Sequence, residues 1–462
     1  MPYSNQNAGK GGHSDIIRNP DVEKFLDDCD TITTPSEEEA KKIVADFMKL
    51  ELGNEWMPTH VVASDASPYS EPINGLFPST QIGYIKNSLV IIDVENYDGL
   101  KPVDSRYVDP FRVAELHRNG DPISFTLPGS NIRYKGANTV QDGFRRAVFE
   151  QLSDIRTSFT NDKTYNVVGT LLAIDDNEVE LSKCPSCQAK NSFIFRRKEL
   201  ELTCPKCNEV VYITDSLRIH EQISEHGENG SAMTRFMNVV EHLIIASFIR
   251  MMGKHNPELL SRMAFVIDGP LAIFGQPAKT HARLMKLYSK VENVMLSKGL
   301  EPPIIIGIQK TGSAVEHATA LSTYMENNTF RIIDDEYRHK YIAARSEQSE
   351  NFGHETYYGQ DFIYKTNSGK VFVFGIPYPF ENKMAGESEG SSSSKKKFAE
   401  KKVEVERYYK KLGKAMKVIS HFELELYENA IVPIALAHRH ASISLIPGGK
   451  VLDILSRKGL NV

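Results

Sequence analysis

The stretch Met263-Ala-Phe-Val-Ile-Asp-Gly-Pro270 decides the fold class. Five apolar residues run without alternation, an acid follows, and Gly-Pro ends the run. A short apolar run bounded by turn residues reads as a buried strand. Downstream, Lys279–Leu296 reads as a helix. Pro303–Ile308 reads as another buried strand, closed by Gln309-Lys310-Thr311-Gly312. Upstream, Ser231–Met252 carries Phe236, Val239, Val240, Leu243, Ile244 and Phe248 at helical spacing. Strand and helix thus alternate after residue 230, which predicts an α/β core.

Further upstream, His60-Val-Val-Ala-Ser-Asp65 is a second apolar strand that ends on an acid. Gln81–Lys86 and Ser88–Val94 read as two more strands joined by a turn at Asn87. Antiparallel neighbours before residue 100 and strand–helix alternation after residue 230 together predict a mixed sheet. Ser36–Leu52 reads as a helix with Ser36 as N-cap and Glu39 at the third position. Asp142–Phe159 reads as a helix with Arg145, Arg146 and Arg156 on its surface. Asn166–Ile174, Phe330–Ile333 and Lys370–Gly375 read as strands. Residues 385–397 are low-complexity and read as a flexible linker. Phe398–Ala437 is mostly helical, and Ala441–Ile446 and Val451–Leu455 flank a Pro447-Gly-Gly449 turn.

The 462 residues are 40% hydrophobic and 25% charged, enough for a large core and two or three domains. The balance of 55 basic against 60 acidic residues argues against coating nucleic acid by bulk charge, but not against gripping it in a local basic channel. The longest apolar stretch, Val239–Met252, is broken by Glu241, His242 and Arg250, so no membrane span is expected. Met1-Pro-Tyr-Ser-Asn-Gln shows no export pattern, and a cytoplasmic location is the expectation.

Four of the five cysteines form two knuckles, Cys184-Pro-Ser-Cys187 and Cys204-Pro-Lys-Cys207. Each Cys-x-x-Cys turn offers two thiolates to one side of a metal, and two turns complete a tetrahedral structural Zn²⁺ site. Asn191–Thr203 between them alternates like a hairpin. Its Arg196, Arg197 and Lys198 either touch nucleic acid or a partner, or form a solvated turn.

Asp65 and Asp268 share one setting: an apolar strand, an acid, then small or rigid residues. Brought together, two such carboxylates would bind Mg²⁺ or Mn²⁺ through oxygen. Each alone is more often a turn former or helix cap. Glu241 lies near the apolar face of its helix, as a metal ligand or as a half-buried acid paired with a base such as Arg235. Lys310 could bind a phosphate or be an exposed loop lysine. His438 and His440 follow the apolar run Ile431–Ala437, as core histidines, metal ligands or proton donors.

Six segments in order resemble the NurA nuclease family. They are Val61-Val-Ala-Ser-Asp-Ala-Ser67, Thr234-Arg-Phe-Met-Asn-Val-Val-Glu241, Phe265-Val-Ile-Asp-Gly-Pro-Leu271, Ile308-Gln-Lys-Thr-Gly312, Asp334-Asp-Glu-Tyr337 and Pro433-Ile-Ala-Leu-Ala-His438. The inserted ribbon followed by Tyr212–Glu221 resembles a bacterial branch. The resemblance implies an RNase H-like, Piwi-related α/β fold with helices on both faces of the sheet. It implies a core split into 60–180 and 214–462, an N-terminal helical segment 1–59 and a zinc ribbon at 181–213. It further implies Mn²⁺-dependent (or Mg²⁺-dependent) cleavage of DNA by exonuclease and single-strand endonuclease action. The family works as a homodimer on a HerA-type hexameric ATPase, in DNA repair or antiviral defence.

Under the resemblance Asp65, Asp268 and Glu241 are metal ligands, with Glu221 the rival of Glu241. His438 completes the shell or handles a proton, Lys310 offsets phosphate charge, and Tyr337 orients water or stacks on a base. Arg235, Arg196 and Arg197 are further candidate nucleic-acid contacts. Two other readings stand beside the nuclease: a non-catalytic DNA-binding adaptor, and an RNA-processing enzyme on the same fold.

Overall fold

The computed structural model describes residues 19–28, 34–50, 56–74, 77–100, 122–343, 352–383, 392–423 and 429–443. Its strands are β1 (Met48–Lys49), β2 (His60–Asn74), β3 (Phe77–Asp93), β4 (Ile123–Pro128), β5 (Val179–Lys183), β6 (Lys190–Phe195), β7 (Glu201–Thr203), β8 (Val210–Tyr212), β9 (Met263–Asp268), β10 (Ile304–Gln309), β11 (Thr329–Ile332), β12 (Gly359–Lys365) and β13 (Val371–Pro377). Its principal helices are α1 (Pro20–Asp27), α2 (Glu37–Val44), α3 (Val140–Ser153), α4 (Val167–Ile174), α5 (Gly230–His255), α6 (Thr280–Ser297), α7 (Ser313–Leu321), α8 (Ser392–Lys401), α9 (Tyr409–His421) and α10 (Val432–Ala441).

Nine strands form one sheet in the order β1-β11-β12-β13-β10-β9-β2-β3-β4. The centre is parallel: β9 pairs with β2 on one side and with β10 on the other. All remaining pairs are antiparallel, so the sheet is mixed. The unalternating sequences of β9 and β10 follow from this position, since both faces are covered. Val62, Phe265 and Ile305 face α3, α4, α5 and α6. Val61, Ala63, Ala264, Val266, Ile304, Ile306 and Ile308 face α9 and α10. A third cluster closes the β11–β13 edge under α2 and α7.

α5 is long and apolar enough to cross a membrane by composition, yet 72% of its apolar window is buried in the protein. It is the main helix of one core layer. Gly307 is required where β10 passes the loop after β9. A Cβ there would sit 2.7 Å from Gly269 O and 2.9 Å from Leu271 Cδ2. Gly269 takes φ +102° and donates its N–H to Ile308 O at 2.7 Å, so the chain turns directly after Asp268.

Several sequence expectations are corrected. Asn87 is not a turn: β3 runs unbroken through it, pairing Asn87 with Ala66 on one side and Ile123 on the other. Asn166–Ile174 is not a strand. Asn166 caps α4 by accepting from Gly169 N at 2.7 Å, and that local bond outweighs the β-branched pair Val167-Val168. The Ser36 helix has its capping box but stops at Val44, and Met48–Lys49 is a short edge strand. α3 ends at Ser153, and Arg145 is buried at 2% exposure. The C-terminal helical region is broken into α8, α9 and α10, and Ser392–Lys397 of the expected linker is helical. Ala441 ends α10; the rest of the expected terminal strand pair from residue 444 onward, and the linker's first part up to residue 391, lie outside the described residues.

In the ribbon, β6 pairs with β5 and β7 pairs with β8. Asn191–Thr203 is therefore not one hairpin ladder. Only an Arg196–Glu199 bridge joins its halves, and each strand pairs outward with a strand on the far side of its knuckle.

Candidate active site

β2 does not end at Asp65. It continues to Asn74, but its parallel pairing with β9 stops at Ser64–Ile267. Asp65 therefore sits where the neighbouring strand ends, beside Asp268 at the end of β9. The alternation of each strand turns both carboxylates toward the α10 face, the side lined by Ala63 and Val266. α10 brings His438 onto them, and Lys310 arrives directly after β10.

The ligand atoms of Asp65, Asp268 and His438 lie within 4.8 Å of one another. His438 Nδ1–H donates to Asp65 Oδ2 at 2.7 Å, and Ala66 N–H donates to Asp65 Oδ1 at 2.8 Å. Lys310 Nζ donates to Asp268 Oδ2 at 2.6 Å. Burial and the neighbouring Asp268 raise the Asp65 pKa above the usual carboxylate value, opposed by Lys310 and His438. The His438 side chain is 60% exposed, so the cluster opens to solvent on that side.

Glu241 comes from α5, beneath the strand ends. It is buried, not half-buried, and is not paired with Arg235. Burial, then Asp65 and Asp268, hold its pKa well above the ordinary carboxylate value; Lys310 and the Asp268 backbone N–H oppose the shift. Its Oε1 is buried with no protein partner. Glu241 stands outside the group of ligand atoms that lie within 4.8 Å of one another but feels the fields of Asp65, Asp268 and Lys310. Asp65 and Asp268 with His438 are a donor set that suits a divalent cation.

Other sequence candidates fall elsewhere. Glu221 is held by Arg218 at 2.7 Å. Tyr337 is 2% exposed, its hydroxyl bonded to His317 Nε2 at 2.8 Å, and its ring lies among His317, Tyr341 and Arg331 rather than in the acid cluster. Arg235 packs over the Gly275 backbone. Arg196 is exposed and paired with Glu178 at 2.7 Å, and Arg197 is exposed at the ribbon tip.

The four cysteine sulfurs also lie within 4.8 Å of one another. Cys184–Cys207 and Cys187–Cys204 are each 3.8 Å apart. A tetrahedron with metal–sulfur bonds of ~2.3 Å has sulfur–sulfur edges of about 3.8 Å, so the set fits one zinc ion. The two knuckles match in backbone as well. Gln188 and Asn208 both adopt positive φ and donate to Cys184 O and Cys204 O.

Two contributions escaped the sequence reading. Arg145 docks the ribbon: it donates to Asp142, Asp215, Ser186 of the first knuckle and Val210 O after the second. Asn87 lies across from Ala66 with both amide atoms buried and unpartnered. Neither has a local sequence signal, because both depend on strands and knuckles distant in the chain.

No family model and no curated protein matches the chain. Among solved structures it is similar to the crystal structure of the NurA nuclease from Sulfolobus solfataricus. The identity is 11% over 98% of this chain and 98% of that chain, with a TM-score of 0.38.

Proposed function

We propose that the chain is a NurA-type nuclease with an RNase H-like core, which hydrolyses DNA phosphodiester bonds with Mn²⁺ or Mg²⁺. The observation that carries this reading is the group Asp65, Asp268 and His438, whose ligand atoms lie within 4.8 Å of one another, with the buried Glu241 close enough to feel both aspartates. The six sequence segments that resemble the family support it. Asp65, Asp268 and Glu241 hold the cation. When bound, the cation supplies Lewis-acid polarisation of the phosphate and activates water. His438, with Nδ1 tied to Asp65, presents its other nitrogen toward solvent, where it can move a proton. Lys310 is placed to exchange Asp268 for a phosphate oxygen and so offset charge as it develops. The ribbon holds a structural Zn²⁺. By the same resemblance we assign a cytoplasmic homodimer seated on a HerA-type hexameric ATPase, in DNA end processing or anti-phage defence.

The test is cleavage of labelled single- and double-stranded DNA with Mn²⁺, Mg²⁺ or no metal, with and without that ATPase. Asp65→Asn and Asp268→Asn are expected to lose at least ~100-fold in rate, the scale of removing one electrostatic contributor to a transition state. Metal-independent cutting, or cutting that survives both substitutions in folded protein, would remove this reading. Parallel digestion of RNA decides the substrate class.

A further inference from the structure

Glu241 has polar neighbours on its own helix. Asn238 and His242 lie one turn apart on α5, with Glu241 between them in the chain. His242 Nδ1 lies 2.6 Å from Tyr358 Oη, and the two rings meet edge to face with centroids 5.5 Å apart. His242 is 1% exposed and Tyr358 0%. On its other side His242 Nε2 lies 3.5 Å from Asn238 Nδ2, and Asn238 Oδ1 accepts from Phe274 N at 3.4 Å.

These contacts give every bond in the thread a direction. A backbone N–H can only donate, so Asn238 turns its oxygen to Phe274 and its amide nitrogen to His242. That nitrogen can only donate as well, so His242 Nε2 accepts. Burial keeps the ring neutral, and its one proton then sits on Nδ1. His242 Nδ1–H therefore donates to Tyr358 Oη. The hydroxyl proton of Tyr358 is left free, in the field of Glu241.

Tyr358 also holds the loop that follows Asp268. Tyr358 N–H donates to Leu271 O at 2.8 Å, Ile273 N–H donates to Thr356 O at 2.9 Å, and Ala272 bridges to Tyr357. The packing leaves no slack, since a Cβ on Gly359 would sit 2.8 Å from Leu271 Cβ. Farther along the same loop, Arg235 of α5 packs on the Gly275 backbone. Leu271 lies three residues after Asp268, whose backbone N–H favours the charged Glu241 carboxylate. The ties thus form a closed circuit. It runs from Asp268 along its loop to Tyr358, across to His242, and back through α5 to Glu241.

We propose that Tyr358 is a positioning residue for Glu241: with His242 it locks α5 against the Asp268 loop and so sets where the Glu241 carboxylate stands. The role of Glu241 as a cation ligand rests on the nuclease reading; its placement by Tyr358 does not.

The test compares Tyr358→Phe with Tyr337→Phe in full-length, zinc-loaded protein. Tyr337 is a matched control. It too is a buried tyrosine bonded to a histidine, at 2.8 Å with ring centroids 5.5 Å apart, but away from the acid cluster. Free Mn²⁺ followed by electron paramagnetic resonance reads affinity without turnover. Tyr358→Phe is expected to weaken Mn²⁺ binding at least ~10-fold, the scale of losing a group that orients a metal ligand. Tyr337→Phe leaves it unchanged. His242→Gln can still donate to Tyr358 and accept from Asn238, and is expected to bind Mn²⁺ nearly as wild type does. His242→Met cannot donate, and should weaken binding as Tyr358→Phe does. Without metal, the melting-temperature shifts of Tyr358→Phe and Glu241→Gln should fail to add, whereas those of Tyr337→Phe and Glu241→Gln should add. Equal zinc content across the set excludes misfolding.

Additive shifts for Tyr358→Phe with Glu241→Gln overturn the proposal, as does wild-type Mn²⁺ affinity in Tyr358→Phe or equal affinity in the two His242 variants. If wild type binds no Mn²⁺ while the shifts fail to add, the placement stands and the metal-dependent reading falls. If Asp65→Asn and Asp268→Asn abolish Mn²⁺ binding and Tyr358→Phe leaves it intact, the nuclease reading stands and the placement falls.

Discussion

Glu241 is the residue whose environment says most. Burial, with two acids nearby, strongly disfavours the charged form of Glu241, whose Oε1 has no protein partner; the proposed function makes it a cation ligand. Glu241→Gln should therefore keep or raise the melting temperature without metal. It should also abolish the rise that Mn²⁺ gives wild type through linkage, and lower cleavage at least ~100-fold. An unchanged Mn²⁺-induced rise in Glu241→Gln would falsify its role as a ligand. Tyr337 carries the opposite lesson. The family resemblance placed it near the chemistry, but its hydroxyl is bonded to His317, away from the acid cluster. Tyr337→Phe should cost ~1 kcal/mol of stability and leave the cleavage rate within about twofold. A rate loss beyond tenfold at unchanged melting temperature would return Tyr337 to the site. His317 adds a pH signature. Burial lowers its pKa to about 4, so below pH 6.5 the unfolded state takes up a proton that the folded state refuses. Its contribution is present above pH 6.5 and is lost as pH falls toward 4, with a slope of at most ~1.4 kcal/mol per pH unit. The melting-temperature advantage of wild type over His317→Gln should shrink from pH 7 to pH 5, and a widening gap would contradict this.

Among the elements, β9 and β10 were legible because a strand covered on both faces leaves an unmistakable apolar run. The knuckles were legible because Cys-x-x-Cys spacing alone defines half a tetrahedron. α4 was misread because a short, mostly apolar run of eight residues looks alike as strand or helix, and only the Asn166 cap decides. β2 was read too short because Ser67, Pro68 and Ser70 resemble a loop; the ladder to β3 holds them extended through Pro72. The ribbon's docking was invisible, since Arg145 reads as a surface residue of a helix until Asp215 and Ser186 arrive from 70 and 41 residues away. Arg145 is 1% exposed in its side chain, between Asp142 and Asp215. Breaking such a network leaves buried acids uncompensated and costs ~3–5 kcal/mol. Arg145→Met should lower the melting temperature and speed zinc release to a chelator, while Arg146→Met, at a partly exposed pair with Glu150, should do neither. Wild-type zinc retention in Arg145→Met would show that the ribbon stands without this contact.

At the scale of the whole molecule, the acid cluster exists only when distant parts of the chain close on one another. Asp65 and His438 meet across 373 residues. The helix that carries His438 also covers one face of the sheet through Val432, Ile434 and Ala437. Assembly of the site and burial of that core face are therefore one event. The single tryptophan reports on it: Trp56 packs against this cluster, with Lys414 of α9 4.6 Å from its ring centre. In a urea titration with Mn²⁺ present, loss of cleavage should coincide with the Trp56 fluorescence transition, as expected when one cooperative unit carries both. The ribbon is a separate pair of short hairpins clamped by its cysteines and Arg145. Its zinc release need not share that midpoint. Cleavage lost at clearly lower urea than the Trp56 transition would mean that α10 detaches locally. His438 would then be delivered by a mobile element, and the site would not be a fixed product of the fold.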